Sequence, residues 1–166
     1  MKTILDCVEL VLRFVMTALF AILIVPVTLQ IISRYVDFVP RYIWTEEIAR
    51  FCFIWIIMIG AMIAVRHDSH FDVDLLPRPK SEYGVGLARA IVHLTMLLVA
   101  ICFIYYGIEF TNQGLMQTSE IADLPMVTIY IAWPLAGVVW TMFLLEKLIE
   151  DFAVMRGLKM PYQESE

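Results

Sequence analysis

The stretch WTEEIARFCFIWIIMIGAMIAVRH, Trp44 to His67, decides the fold. Its fifteen uncharged residues, Phe51 to Val65, follow directly on Glu46, Glu47 and Arg50. A helix needs about 20 residues to cross the hydrocarbon core of a bilayer, so this run falls short unless it recruits its charged flank. Read as one helix, Thr45–Arg66 has 22 residues. That is about 33 Å at the helical rise of about 1.5 Å per residue, enough to span. Glu46 and Glu47 then occupy the first turn, where carboxylates suit the positive helix end. Arg50 stands four residues after Glu46 and three after Glu47, in pairing reach of either. Two readings fit these charges: an interfacial cluster that snorkels and ends the span, or a cluster turned toward protein.

Three further runs carry no charge: Phe14–Ser33 with 20 residues, Ala90–Ile108 with 19 and Leu124–Leu145 with 22. The 166 residues are 61% hydrophobic and 17% charged, against about 45–50% and about 25% in soluble domains. A core this small cannot hide that much apolar surface from water. In lipid, backbone groups must be satisfied internally, which leaves helices or closed barrels. Continuous rather than alternating apolarity excludes the barrel. The pattern predicts an all-α integral membrane protein, one domain over residues 1–166, with helices at about 8–34, 45–66, 82–110 and 124–149 and a tail at 150–166. Pro26 and Pro134 fall inside the first and last helices, where a membrane span tolerates a kink. Lys2 before an apolar run resembles a signal peptide, but Asp6 and Glu9 dilute the positive region and no small-residue cleavage site follows. A retained first helix is expected.

Four spans put both termini on one side. Nine Lys and Arg then lie on that side, against Arg34, Arg41 and Arg50 on the other, which predicts cytoplasmic termini. The segment YVDFVPRYIW, Tyr35 to Trp44, reads as a short interfacial stretch, and Tyr42, Trp44, Tyr105 and Tyr106 fit aromatic belts. Membrane lipids are therefore partners. A net charge of −5 without a basic face offers nucleic acid nothing to bind.

Several chemistries fit poorly. The loop RHDSHFDVD, Arg66 to Asp74, contains His67, Asp68, His70, Asp72 and Asp74 without zinc-like spacing. Arg66 and His67 serve better as favourable charge at the negative end of helix two. Cys7, Cys52 and Cys102 form no C-x-x-C pair. Bis-histidine haem ligation needs two facing imidazoles, whereas only His93 lies in an apolar run. A self-sufficient exporter needs a carboxylate deep in a span, and the four charge-free runs contain none. No metal, cofactor or catalytic residue is expected. Gly60/Ala64 and Ala132/Ala136 offer small residues four apart, suited to close packing within the chain or against another subunit.

Taken in order, these residues resemble the small membrane subunit of TRAP (tripartite ATP-independent periplasmic) transporters, the DctQ type. Ser33-Arg34-Tyr35, then Trp44, Glu46, Glu47 and Arg50, then Gly60, Arg66, His70, Val73 and Asp74 follow that family's pattern. Pro125, Pro134 and Gly137 in LPMVTIYIAWPLAG resemble its L-P…P-x-G helix, with Ala136 as one residue more between Pro134 and Gly137 than the shorter form has. The resemblance implies a bacterial inner-membrane importer of organic acid anions such as sialic acid or C4-dicarboxylates. There, a periplasmic substrate-binding protein delivers solute to a large DctM-type membrane subunit that holds the substrate and Na⁺ sites and moves as an elevator. The small subunit would be a non-enzymatic scaffold, binding no substrate, with Arg34, Trp44, Glu46, Glu47, Arg50, Gly60, Arg66, His70, Asp74, Pro125 and Pro134 in structural or partner-contact roles. The rival readings are a membrane anchor for a redox enzyme, which a haem absorption band would reveal, and a small homo-oligomeric exporter.

Overall fold

A computed structural model describes residues 2–36, 38, 40, 42–67, 82–119 and 124–156. Its elements are α1 (Lys2–Tyr35), α2 (Trp44–Arg66), α3 (Glu82–Gly114), a short α4 (Val127–Tyr130) and α5 (Ala132–Met155). Among the described residues, four helical segments are long and apolar enough to cross a membrane, the last being α4 and α5 together, Val127–Met155. The all-α architecture expected from the charge-free runs is what the structure has.

The helix ends differ from expectation by one or two turns, each time because a partner in space extends the helix. The first helix starts at Lys2 rather than near residue 8, since Asp6 and Glu9 on its opening turns are held by Arg66. The third runs to Gly114 rather than 110, and its added turn lies against α4, where a methyl on Gly114 would sit 2.5 Å from the Tyr130 ring and 3.0 Å from the Val127 nitrogen. The fourth runs to Met155 rather than 149, carrying Asp151 to His93 of α3.

Pro134 divides that last crossing. A proline has no N–H and its ring clashes with the carbonyl four residues back, here that of Tyr130. The regular helix stops at Tyr130, turns at Ile131 and restarts at Ala132. The Thr111 hydroxyl of α3 lies 3.2 Å from the Tyr130 carbonyl and 2.7 Å from that of Gly107, so it donates to either. Gly107 itself admits the proline: a methyl there would sit 2.8 Å from Pro134 Cδ and from its backbone nitrogen.

The helices stand in a row. α1 packs on α2, α2 on α5, and α5 on α3. Arg66 of α2 reaches both Asp6 of α1 and Glu146 of α5, which brings the two terminal segments to one end. At the other end, Trp55 of α2 donates its indole N–H to the Thr128 carbonyl of α4 at 3.1 Å. Two apolar clusters fill the seams. Leu5, Val65, Ala100, Phe143 and Leu144 make one near the terminal end; Met58 and Met62 against Ala132 and Ala136 make the other. Ala132 and Ala136, fully buried, let α2 and α5 approach closely.

Candidate functional site

Arg66 organises the terminal end. Its guanidinium bonds Glu146 of α5, Asp6 of α1 at 2.5 Å and, through Nε, Glu9 at 3.4 Å. It also lies over the Phe143 ring, 5.2 Å from the centroid, a cation–π distance. A planar fork of donors suits three carboxylates from two helices better than a point charge would. His67, just past the end of α2, shares Nε2 between Glu9 and Arg13, each at 2.8 Å. One nitrogen cannot accept from arginine and donate to glutamate together, so the tautomer decides which of the two bonds forms. Arg13 meanwhile pairs with Glu9 at 2.7 Å. Both basic residues thus do more than balance the helix pole. Their side-chain bonds to Asp6, Glu9 and Glu146 join three helices.

His93 and Asp151 form a second pair at this end, Nδ1 to Oδ2 at 2.6 Å, with residue exposures of 7% and 5%. Sequence reading left His93 without its acidic partner. A signal existed: Asp151 lies on the helical register of Phe143, Leu144 and Val154, and a carboxylate on an apolar stripe requires a partner.

The charges that open α2 separate by face. Arg50 bonds Glu46 at 3.4 Å, both side chains well exposed. Glu47 turns the other way, and its Oε2 is buried without a hydrogen bond, as is Nε2 of Gln30 on α1. Thr45 is buried and donates to the Tyr42 carbonyl at 2.6 Å. Trp44 stays partly exposed, its ring 6.0 Å from that of Tyr42. Arg34 ends α1 as a basic residue in the last turn, where it suits the negative pole.

Gly60 behaves unlike the other small residues of the spans, because a methyl built on it meets nothing within 4 Å. Pro125 closes the connection into α4. Thr118 and Pro125 form an isolated antiparallel bridge, and the Pro125 carbonyl accepts from both the backbone and the hydroxyl of Thr128. Pro134 and Gly137, singled out as a helix pattern, turn out to be the α3–α5 contact. A methyl on Gly137 would lie 2.8 Å from the Ala100 carbonyl oxygen. His70 and Asp74 lie outside the described residues, as do Asp68 and Asp72 of the same loop. Among the described residues, no three His, Cys, Asp or Glu side chains gather as a metal site.

Charge therefore sits in two layers at the helix ends, with an apolar middle that packs helix on helix. This is the build of a multi-pass membrane component whose chemistry is assembly. A family model for "Tripartite ATP-independent periplasmic transporters, DctQ component" matches residues 23–154. The chain belongs to that family, a component of transporters and not an enzyme.

It is 26% identical over 158 residues to a putative TRAP transporter small permease protein of Haemophilus influenzae, covering 95% of this chain and 98% of that relative. It is 30% identical over 121 residues to the sialic acid TRAP transporter permease protein SiaT of Haemophilus influenzae, covering 73% of this chain but 19% of that protein. Against the isethionate TRAP transporter permease protein DctMQ of Oleidesulfovibrio alaskensis it is 26% identical over 142 residues, covering 81% of this chain and 22% of that protein. In those two relatives, the matching segment is about a fifth of a longer permease polypeptide.

Proposed function

We propose that this chain is the fixed scaffold subunit of a Na⁺-coupled, binding-protein-dependent importer of organic acid anions, with its termini in the cytoplasm. The observation that carries the reading is the empty chemistry of the mid-membrane layer. Within Phe14–Ser33, Phe51–Val65, Ala90–Ile108 and Leu124–Leu145 the sequence offers no acidic or basic residue except His93, and Asp151 engages that imidazole. A subunit that gripped ions or solute itself would place such groups at mid-depth. Substrate and Na⁺ sites accordingly belong to the large DctM-type subunit, to which the longer relatives give a covalent precedent. A periplasmic binding protein supplies the solute. Two relatives are named for sialic acid and isethionate, a carboxylate and a sulfonate, which favours an organic anion. In this arrangement Glu46, Glu47 and Arg50 are contacts to partners at the periplasmic end.

Reconstitution tests the reading. Proteoliposomes holding the large subunit and this chain, supplied with binding protein, are expected to take up labelled anion on a Na⁺ gradient. Leaving out this chain is expected to abolish uptake, and titration calorimetry of the chain alone to show no anion binding. Undiminished uptake without it, or anion bound by it alone, overturns the assignment.

A further inference from the structure

One face of α2 is built for a neighbour that this chain does not supply. Glu46, Arg50, Phe53, Ile57 and Gly60 are spaced alternately four and three residues apart. At about 100° per residue they fall within about 40° of one line along the helix. The buried residues of α2, among them Thr45, Cys52, Ile56, Ile59, Met62 and Val65, all lie about 80° or more from that line. Phe53 and Ile57 are 55% and 50% exposed. The spacing is the seam period of helices that pack at a shallow left-handed crossing.

Gly60 gives the face its meaning. At Gly107 and Gly137 the missing side chain admits another helix of this chain, whereas a methyl built on Gly60 meets no atom of the described residues within 4 Å. Lipid has no use for such a gap. A helix interior glycine costs about 0.5–1 kcal/mol relative to alanine, and a lipid-facing position is served better by Leu or Ile. A second helix does use it, because small residues set the distance of closest approach.

We propose that this face of α2 docks a transmembrane helix of the large permease subunit, which seats a bulky apolar side chain over Gly60 and sets a polar group against Glu46 and Arg50. The inference rests on the scaffold-subunit reading and adds the surface through which the scaffold holds its partner. A second copy is a poorer occupant. Both copies would share one orientation in the membrane, so two-fold packing along this seam sets Glu46 against Glu46 and Arg50 against Arg50, like charges at like depth. In the longer relatives, by contrast, this segment is covalently joined to more permease chain, which raises the local concentration of partner helices.

The test uses the full complex of this chain with the large subunit in proteoliposomes. A benzophenone amino acid at Ile57 is expected to cross-link to the large subunit on illumination, while the same probe at Leu98 on α3, which is 64% exposed, is not. Adducts from position 57 confined to lipid or to a second copy overturn the proposal. Gly60→Leu is expected to lower the large subunit recovered by co-purification about tenfold, the loss of about 1.4 kcal/mol of contact, while the thermal midpoint of the isolated chain stays unchanged. Unchanged recovery, or an equal loss of stability in the isolated chain, also overturns it. Failure of the unsubstituted chain to co-purify at all would instead defeat the scaffold reading.

Discussion

Arg66 and Arg50 carry the same charge on the same helix, but their surroundings assign them different work. Arg66 is only 14% exposed at its side chain and meets Glu146, Asp6 and Glu9. Removing it would leave those carboxylates facing one another in a partly buried setting, where breaking a pair costs about 3–5 kcal/mol. Arg50, 61% exposed at its side chain, pairs among the described residues with Glu46, and exposed pairs of this kind are worth about 0–1 kcal/mol. Denaturant titration of the isolated chain in mixed micelles is therefore expected to rank Arg66→Ala far below Arg50→Ala in stability. Equal losses would refute the lock at the terminal end. Glu47 makes the complementary case. Its buried Oε2 has no hydrogen-bond partner among the described residues, and a buried polar group without a partner costs about 1–3 kcal/mol. Glu47→Ala is accordingly expected to leave the isolated chain as stable or more stable, by up to about 1–3 kcal/mol. A large loss of stability in the isolated chain would mean that the carboxylate is held by a bond within the fold.

At the scale of the element, the last crossing shows what sequence can and cannot specify. The charge-free run Leu124–Leu145 announces a span, and Pro134 announces a break within it. Where the helix stops and restarts, however, depends on α3, whose Gly107 accepts the proline ring and whose Thr111 hydroxyl sits within reach of the Tyr130 carbonyl. The same limit explains the extended ends of α1, α3 and α5. Apolar runs mark what lies in hydrocarbon, while charged turns continue as helix only if a partner such as Arg66 or His93 waits beside them. The site was legible to the same degree. Glu46, Glu47 and Arg50 could be placed on the first turns of α2 from their spacing, but not sorted into an outward pair and an inward carboxylate. That sorting is set by which face of α2 the rest of the fold covers. Gly60 and Gly107 look alike in sequence and differ in space. Gly107→Ala is expected to cost about 1–3 kcal/mol, as overpacking does, since its methyl would press on backbone nitrogen rather than on a side chain free to move. Gly60→Ala is expected to leave the isolated chain as stable or slightly more so, because alanine favours helix and meets no neighbour. Thermal melts of the two variants, side by side, decide whether the inward and outward assignments hold.

Seen whole, the molecule is two helix pairs joined at one seam: α1 with α2, and α3 with α4 and α5, meeting where α2 lies along α5. A row of this kind leaves long apolar flanks on α1 and α3, a poor shape for burying surface and a good one for broadening a larger assembly. Its cohesion across the middle comes from few places. Arg66 bonds Glu146 at the terminal end, Met58 and Met62 pack on Ala132 and Ala136, and Trp55 donates to the Thr128 carbonyl. In membranes, formed helices associate through packing and interhelical hydrogen bonds of about 1–2 kcal/mol each, so three such contacts along one seam should hold the pairs without a covalent link. Co-expressed halves, residues 1–74 and 75–166, are therefore expected to co-purify in mild detergent. Arg66→Ala in the first half, combined with Ala136→Leu in the second, removes the charge lock and wedges the close approach, and is expected to separate them while each half remains helical by circular dichroism. Halves that never associate would mean that the seam is set by the chain between them. Halves that stay together after both substitutions would move the cohesion of the row away from α2 and α5.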